Sequence, residues 1–398
     1  MKLLHLVASL EPEAGGVSRA VKTMIRSLSE MGVGNEVAAL SISDPGTENG
    51  FVHSLGPGKG PWKYSPKLYP WLLKSLDKYD SVILHGLWLY PGFATERAMR
   101  ILKDSRKKGR HPKLFIMPHG MLDPYFQNAA GRTLKAIRNT IYWKLVENRV
   151  INNADGLLFT SEEEYRLARM PFRPYKPRKE LVVGLGVEEP EPYRMQMRDA
   201  FLSKCSAVAN RPYFLFLGRI HEKKGVDILI EAYADVFLKK GNENSDQPTG
   251  CALVIAGPGI DSAFGKKIRQ LVPRLDGSEE NIFFPGMLSG DEKWGALYGS
   301  EAFVLPSHQE NFCIAAVETM ACGKAVLLSK KVNIWKEIEE GGAGLVEEDN
   351  IGGMKNLLMQ WESLSEQEKA QYGFRSRLLY QKNFSPKPAA ERLVKAIE

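Results

Sequence analysis

The sequence alternates short apolar runs with amphipathic stretches, and this alternation constrains the fold more than any other feature. Leu3–Leu10, Ser81–His85 and Lys113–Met117 have the length and apolar character of buried strands. Val17–Met31 and Arg132–Asn152 instead carry apolar residues at helical spacing. Strands and helices in alternation indicate a parallel sheet that is covered by helices on both faces.

The second half of the chain repeats this pattern. Tyr213–Leu217 and Cys251–Ala256 are predicted strands, and each is followed by a predicted helix. The segment Glu188–Asn210 contains two prolines and lacks a core pattern, so we place a domain boundary there. A length of 398 residues suits two domains of about 150–200 residues each. We therefore predict two α/β domains, over residues 1–190 and 191–375.

Composition indicates a globular chain without a membrane span. Hydrophobic residues make up 43% and charged residues 25%, and no run approaches about 18 consecutive apolar residues. The first ten residues could pass for a signal peptide, but His5 interrupts the run and Glu11 follows where small residues should prepare cleavage. The four cysteines form no CxxC pair, so we expect no disulfide or metal framework and a cytoplasmic location.

The net charge of +7 is concentrated in the first half, which holds 28 Lys and Arg against 19 Asp and Glu over residues 1–190. The excess is sharpest over residues 97–113, where eight cations face one anion, Asp104. This stretch could dock on anionic lipid at the inner face of a membrane, or on an anionic acceptor, or it could be a solvated helix face and loop. No motif of a nucleic-acid-binding module accompanies the charge, so we predict no nucleic-acid partner.

Ligands of open parallel sheets bind beyond the carboxyl ends of the strands, so the residues after each strand are the candidates for function. Gly15 and Gly16 follow the first strand and open a helix, where backbone N–H groups can approach a phosphate. A plain tight turn explains these glycines equally well. Arg219 and Lys224 follow the strand Tyr213–Leu217, and two cations there could neutralise a departing diphosphate. A lysine-rich surface loop is the alternative.

Two glutamates follow the strand Ala302–Pro306. Glu310 lies in the loop after this strand, and Glu318 lies eight residues later among apolar and small residues. A carboxylate inside a buried helix needs a partner, and the two hydroxyls of a ribose would satisfy Glu318. An internal salt bridge is the alternative for Glu318. Glu310 could hold sugar hydroxyls, or it could cap the helix that follows.

These motifs, in this order, resemble those of the retaining GT-B glycosyltransferases of family 4, also called glycosyl transferases group 1. The resemblance runs from Gly15 to Gly323. It implies two Rossmann-like domains that face a cleft, with a C-terminal helix, at about residues 376–398, that packs back on the first domain. It also implies a cytoplasmic enzyme of polysaccharide or cell-envelope assembly.

The resemblance assigns roles to individual residues. Arg219 and Lys224 would bind the donor diphosphate with Gly16, and Glu318 would hold the ribose. Glu310 and the backbone of the next three residues would hold the transferred sugar, and the Met287–Leu288 backbone would contact the nucleobase. These three residues are Asn311, Phe312 and Cys313. His119 would stand near the anomeric carbon.

Three further residues are weaker candidates for the acceptor side, because they lie just after strands. They are His85, Trp88 and Asp123. For His119 itself, a core histidine that is satisfied by backbone groups remains the alternative. The sequence also departs from the family pattern in two places. Gly184–Val187 reads Gly-Leu-Gly-Val where Asn-Gly-Val is usual, and Asn311 stands where the family commonly has Gly, which puts the choice of donor sugar in doubt.

The resemblance predicts transfer of a hexosyl group, with retention, from a nucleotide sugar to a hydroxyl of a sugar or lipid-linked saccharide. A UDP-sugar is favoured as donor, with GDP-mannose next. We expect neither a metal nor a cofactor, because no DxD-like motif has a convincing setting. The alternatives are a GT-B phosphorylase or nucleotide-sugar epimerase, and a non-catalytic nucleotide-sugar-binding protein.

Overall fold

A computed structural model describes residues 1–11, 15–41, 51–105, 111–129, 131–238, 250–275, 277 and 279–398. The chain forms two compact units. The first comprises Met1–Val187 and Ser385–Glu398, and the second comprises Glu188–Phe384. Among the described residues, no helix is both long enough and apolar enough to cross a bilayer.

The first unit is built on a seven-stranded sheet in which all neighbouring strands are parallel. The strand order is β3-β2-β1-β4-β5-β6-β7, so the order reverses beside β1. The strands are β1 (Lys2–Val7), β2 (Gly34–Ala39), β3 (Phe51–Ser54), β4 (Ser81–His85), β5 (Lys113–Met117), β6 (Gly156–Phe159) and β7 (Glu180–Val182).

Seven α-helices lie among the described residues of the N-terminal part of this unit. They are α1 (Gly16–Glu30), α2 (Leu68–Ser75), α3 (Tyr90–Ser105), α4 (Tyr125–Asn128), α5 (Thr133–Tyr142), α6 (Asn148–Asn153) and α7 (Glu162–Ala168). A five-residue π-helical segment, Trp143–Glu147, joins α5 to α6 without a break. This continuous helix matches the predicted helix over Arg132–Asn152 to within a residue at each end.

The second unit repeats the plan with six parallel strands in the order β10-β9-β8-β11-β12-β13. The strands are β8 (Tyr213–Leu217), β9 (Ala252–Ala256), β10 (Ile282–Gly286), β11 (Ala302–Leu305), β12 (Ala325–Ser329) and β13 (Gly344–Glu347). The helices are α8 (Met195–Lys204), α9 (Val226–Tyr233), α10 (Ala263–Leu271), α11 (Gly290–Gly299), α12 (Ile314–Ala321), α13 (Trp335–Glu340), α14 (Ile351–Ser363) and α15 (Glu366–Leu379).

The last helix, α16 (Pro386–Ile397), belongs to the first unit, whereas residues 376–384 belong to the second. Leu393 and Ile397 pack in the same core cluster as Leu3 of β1. Leu4, one residue along β1, packs in a different cluster on the opposite face of the sheet. Successive side chains of a strand point to opposite faces, so the sheet is covered on both sides, as the sequence pattern predicts.

Gly225 lets the second sheet bring two of its loops together. It has a φ of 64° at the start of α9, and a Cβ built on it would lie 2.4 Å from the carbonyl oxygen of Pro306, just after β11. Only glycine tolerates both this backbone conformation and this close approach. The residue thus fixes the distance between the loop after β8 and the loop after β11.

We expect Gly225→Ala to lower the free energy of unfolding of the second unit by roughly 2–4 kcal/mol, through left-handed strain and steric overlap with Pro306. Gly323→Ala is the matched control. Gly323 has a φ of 71°, but its Cβ would meet only an ordinary contact at 3.8 Å. The control should cost about 1–2 kcal/mol. Urea unfolding measures both, and equal losses would contradict the close approach.

Candidate active site

The order of the second sheet reverses beside β8, whose neighbours are β9 and β11. In open parallel sheets this reversal opens a crevice at the carboxyl ends of the two diverging strands. The loop after β8 carries Arg219 and Lys224, and the loop after β11 carries Glu310. The fold therefore brings together three candidate residues that lie up to 91 positions apart in the sequence.

Lys224 and Glu310 form an ion pair, which joins the two loops. Both side chains are largely shielded, with 17% and 22% of their surface exposed. The Glu310 backbone is also fixed, because its N–H donates to the Lys331 carbonyl at 2.9 Å and its carbonyl accepts from Asn333 N–H at 2.9 Å. Lys224, assigned to the diphosphate, and Glu310, assigned to the transferred sugar, thus form one ion pair.

The structure tests the two alternatives that the sequence left open, a helix cap for Glu310 and an internal salt bridge for Glu318. No side chain caps α12, whose first turn is preceded by Cys313, so Glu310 is not the predicted helix cap. Glu318, 5% exposed, pairs with Lys293 Nζ at 2.9 Å. The internal salt bridge, which was the alternative for Glu318, is therefore present. The assignment of Glu318 to a ribose stays a prediction.

Two of the three residues after Glu310 have buried side chains, so they offer mainly backbone groups to a ligand. Phe312 is buried and packs edge-on against Phe384, with ring centroids 5.6 Å apart. Cys313 is also buried, and burial raises the pKa of its thiol to about 12, so the thiol stays neutral. The Asn311 side-chain oxygen accepts from Asn333 Nδ2 at 3.3 Å. Asn311 is thereby anchored to the loop after β12.

Three other predicted residues differ in exposure. Arg219 is exposed, so its guanidinium is accessible to a ligand. Met287 is 69% exposed, whereas the Leu288 side chain is 6% exposed and packs in the core of the second unit. Leu288 therefore presents only its backbone to a ligand.

Gly257 directly follows β9, next to β8, and was not among the predicted site residues. Its φ is 138°, and a Cβ there would lie 1.9 Å from the Gly218 carbonyl oxygen. Its N–H donates to Gly286 O at 2.8 Å, and Gly218 N–H donates to Ala256 O at 3.0 Å. The Gly-Pro-Gly sequence directly after a strand was the signal that could have identified it.

In the first unit, three histidines form a hydrogen-bonded stack. His5 Nδ1 lies 3.1 Å from His85 Nε2, and His85 Nδ1 lies 3.0 Å from His119 Nε2. The ring centroids are 5.4 and 5.3 Å apart. His85 was predicted on the acceptor side, but both of its ring nitrogens face the other two histidines. His5 was not predicted as a site residue, because it lies in the middle of β1 and not at a strand end.

Burial keeps these histidines neutral. It lowers the pKa of His5 and of His119 to about 4, and that of His85 well below its ordinary value of 6.5. His119 has a φ of 53°, in the left-handed region. It is the partly exposed member of the stack, so it presents an uncharged imidazole at the carboxyl end of β5.

Gly15 and Gly16 lie at the start of α1, and both are exposed. Gly15 has a φ of 73°, and α1 has neither a side-chain cap nor an acidic residue in its first turn. The first amide groups of α1 therefore keep the partial positive charge that favours an anion. Ala14, which opens this motif, lies outside the described residues, as do residues 106–110 of the basic stretch 97–113.

The backbone of Trp88 contacts Glu147, a buried residue that was not predicted as part of the site. Trp88 N–H donates to Glu147 Oε2 at 3.3 Å, and burial raises the pKa of Glu147 to about 8. A single glutamate among the apolar residues of a predicted helix was its only sequence signal. Asp123 is buried, and its Oδ1 accepts from Tyr125 N–H at 2.8 Å, at the start of α4.

Among the residues that the structure describes, no group of three or more His, Cys, Asp or Glu side chains is arranged to hold a metal ion. The expectation that the reaction needs no metal therefore stays a prediction.

Models of two known protein families together match nearly the whole chain. A model described as "Glycosyltransferase Family 4" matches residues 14–187, and one described as "Glycosyl transferases group 1" matches residues 198–376. The chain belongs to glycosyltransferase family 4. The predicted family is thereby confirmed.

Relatives of known structure confirm the GT-B fold with its two Rossmann-like domains. HepE from Anabaena, solved with UDP, aligns over 100% of this chain and 99% of its own with a TM-score of 0.71 at 16% identity. A glycosyltransferase from Rickettsia africae aligns over 100% and 97% with a TM-score of 0.73 at 13% identity. Identities this low establish the fold alone.

A relative of similar sequence is the lipopolysaccharide 1,2-N-acetylglucosaminetransferase of Salmonella typhimurium. It is 26% identical over 208 residues, which cover 51% of this chain and 52% of that enzyme. The chain spans about half the length, or less, of the curated relatives that it matches.

The neutral histidines predict how stability depends on pH. An unfolded histidine binds a proton below its ordinary pKa of 6.5, whereas His5 and His119 in the folded state do so only near 4. Their stabilising contribution is therefore complete above about pH 6.5 and is lost as the pH falls towards about 4. We expect His5→Gln to reduce the fall in the free energy of unfolding between about pH 6.5 and 5 by about 2 kcal/mol.

Urea unfolding at a series of pH values measures this effect. His221→Gln, which removes an exposed histidine of the second unit, is the matched control and should leave the pH dependence unchanged. Equal pH dependence of the wild type and His5→Gln would contradict a neutral, buried His5.

Proposed function

We propose that the chain is a retaining hexosyltransferase. It moves a hexosyl group from a nucleotide sugar to a hydroxyl of a sugar or of a lipid-linked saccharide, with a UDP-sugar preferred and GDP-mannose next. The observation that carries this proposal is the charged strand end of the second unit, where Lys224 and Glu310 pair and Arg219 lies exposed in the same loop as Lys224. HepE was solved with UDP and with UDP-glucose, and the Salmonella relative is an N-acetylglucosaminetransferase, which supports a UDP-sugar donor.

The cations of the loop after β8 stabilise the leaving diphosphate. Arg219 is exposed and presents a planar fork that suits two phosphate oxygens. Lys224 is oriented by Glu310 in advance of binding, so it adds a fixed positive charge beside the loop. Charges that are already oriented stabilise the developing phosphate charge without a reorganisation cost at the moment of transfer.

The two glutamates hold hydroxyls. Each contacts a lysine, Glu310 with Lys224 and Glu318 with Lys293, and each presents carboxyl oxygens that can accept hydrogen bonds from a sugar. Both glutamates thus have a positioning role, and we do not assign them as the acid and nucleophile of a glycosidase.

His119 stands near the anomeric carbon as a neutral group. Positive charge develops at this carbon as the diphosphate departs, and an imidazolium would oppose it. Because burial lowers the pKa of His119 to about 4, the ring is uncharged at neutral pH and can serve as a hydrogen-bonding partner without repulsion. The acceptor hydroxyl attacks from the face of the departing diphosphate, and a donor phosphate oxygen takes its proton.

The acceptor is a saccharide of polysaccharide or cell-envelope assembly, and the enzyme is cytoplasmic and peripheral at the inner face of the membrane. The lipopolysaccharide enzyme among the relatives supports a lipid-linked acceptor. The basic character of residues 1–190 supports an anionic surface.

A donor panel tests the function. The protein is incubated with UDP-, GDP- and ADP-sugars, with and without candidate saccharide acceptors, and nucleotide release is measured. We expect release from a UDP-sugar only when an acceptor is present, and unchanged release after EDTA. Interconversion of the donor without acceptor would indicate an epimerase, and turnover of sugar phosphates a phosphorylase. Saturable binding without turnover would indicate a sensor, and loss with EDTA that magnesium restores would contradict metal independence.

We expect Glu318→Ala to weaken donor binding by roughly 1–3 kcal/mol, because the ribose loses its hydrogen-bond acceptor. The dissociation constant, measured by calorimetry, should rise roughly 5- to 150-fold. Glu301→Ala is the matched control. Glu301 lies just before β11, at the opposite end of the strand, and pairs with Lys369 at 3.0 Å. Its loss also breaks an ion pair, but donor affinity should stay the same. A folded Glu318→Ala protein with unchanged affinity would contradict the ribose assignment.

A further inference from the structure

An apolar stripe lies exposed along α5 and the π-helical segment that follows it. Leu134 is 83% exposed, Ile137 53%, Ile141 54% and Leu145 67%. These residues are spaced by three, four and four positions, so they share one side of the helix. The stripe places four large aliphatic side chains in water.

The opposite side of the same helix is buried in the core of the first unit. Trp143 is 1% exposed, Glu147 is fully buried, and Val150 and Ile151 of α6 are buried as well. A surface helix of a globular protein normally turns a polar face to solvent. This helix is apolar on both sides. Its exposed apolar side therefore indicates contact with a second apolar environment outside the described fold.

The charges beside the stripe have a single sign. Lys135, Arg138, Lys144 and Arg149 are all exposed. The sequence holds neither Asp nor Glu between Gly131 and Val146, and the next acid, Glu147, is buried on the opposite side. An aliphatic stripe with cations only is the pattern of a helix that lies in the interface of an anionic membrane.

We propose that this basic apolar face (Leu134, Ile137, Ile141 and Leu145 with Lys135, Arg138, Lys144 and Arg149) docks on an anionic lipid bilayer. The aliphatic side chains enter the boundary between headgroups and acyl chains. The long Lys and Arg side chains reach the anionic headgroups while their stems cover apolar surface. A second copy of the chain fits this face less well, because two such faces would bring like charges together.

The docking face differs from the basic stretch 97–113, which includes the end of α3. It rests on the proposed peripheral location of the enzyme and names the surface that binds the membrane, whereas vesicle binding needs neither donor nor acceptor. A failure of docking and a failure of transfer are therefore distinguishable.

Co-sedimentation of the full chain with vesicles tests the docking face. Vesicles of phosphatidylcholine alone are compared with vesicles of equal parts phosphatidylcholine and phosphatidylglycerol. We expect binding to the anionic vesicles, and we expect Ile137→Ser/Ile141→Ser to lower the partition coefficient about tenfold or more. Lys135→Gln/Arg138→Gln/Lys144→Gln should remove the preference for anionic vesicles.

Two control variants make the test specific. Phe374→Ser/Leu378→Ser removes exposed apolar surface from α15 of the second unit, where these residues are 67% and 48% exposed, and should bind like the wild type. Arg97→Gln/Arg100→Gln removes exposed cations of α3 and should retain most of the binding. Circular dichroism checks that each variant is folded.

Leu145→Cys, labelled at the new thiol with an environment-sensitive fluorophore, gives a second readout. Its emission should shift to the blue with anionic vesicles, whereas the same label on Leu378→Cys should not respond. The proposal is overturned if the wild type does not bind anionic vesicles, or if Ile137→Ser/Ile141→Ser binds like the wild type. It is also overturned if only Arg97→Gln/Arg100→Gln loses vesicle binding. A change from dimer to monomer as the one effect of Ile137→Ser/Ile141→Ser would likewise overturn it.

Discussion

All strands of each sheet run in the same direction, so every loop that follows a strand emerges at one edge. Each sheet also reverses its strand order beside its first strand, β1 or β8. This reversal draws the loops after two adjacent strands apart and leaves space between them. In the second unit, Arg219, Lys224 and Glu310 lie in those loops. Strand direction and order place these residues at one edge of the sheet, and Gly225 keeps the backbone after β8 close to the backbone after β11, where Lys224 and Glu310 pair.

The two units differ in the charge of their functional side chains. In the second unit, Glu310 and Glu318 each form an ion pair with a lysine. In the first unit, burial keeps the histidine stack neutral and favours the protonated form of Glu147. Fixed cations suit the binding of an anion at the strand ends of the second unit, and the neutral imidazoles add no charge at the strand ends of the first.

Strands in the middle of the sheets were predictable because they are buried on both sides and appear as continuous apolar runs. β4, β5 and β8 match their predicted bounds. β3 and β13 were not predicted. Both are edge strands of four residues, and β3 contains His53 and Ser54, so neither shows the apolar run on which the prediction depends. The exposed stripe of α5 was hidden for a related reason, since a sequence shows that a helix is apolar but not which side is covered.

The sequence by itself determined the family, the alternation of strands and helices, and the strand-end positions of Arg219, Lys224, Glu310 and His119. These properties depend on local periodicity and on residues close to one another in the chain. Only the tertiary structure decided the partners. Lys224 pairs with Glu310 across 86 positions and His5 contacts His85 across 80. Such pairs depend on strand order and register, which join distant segments, and burial then keeps the histidines neutral.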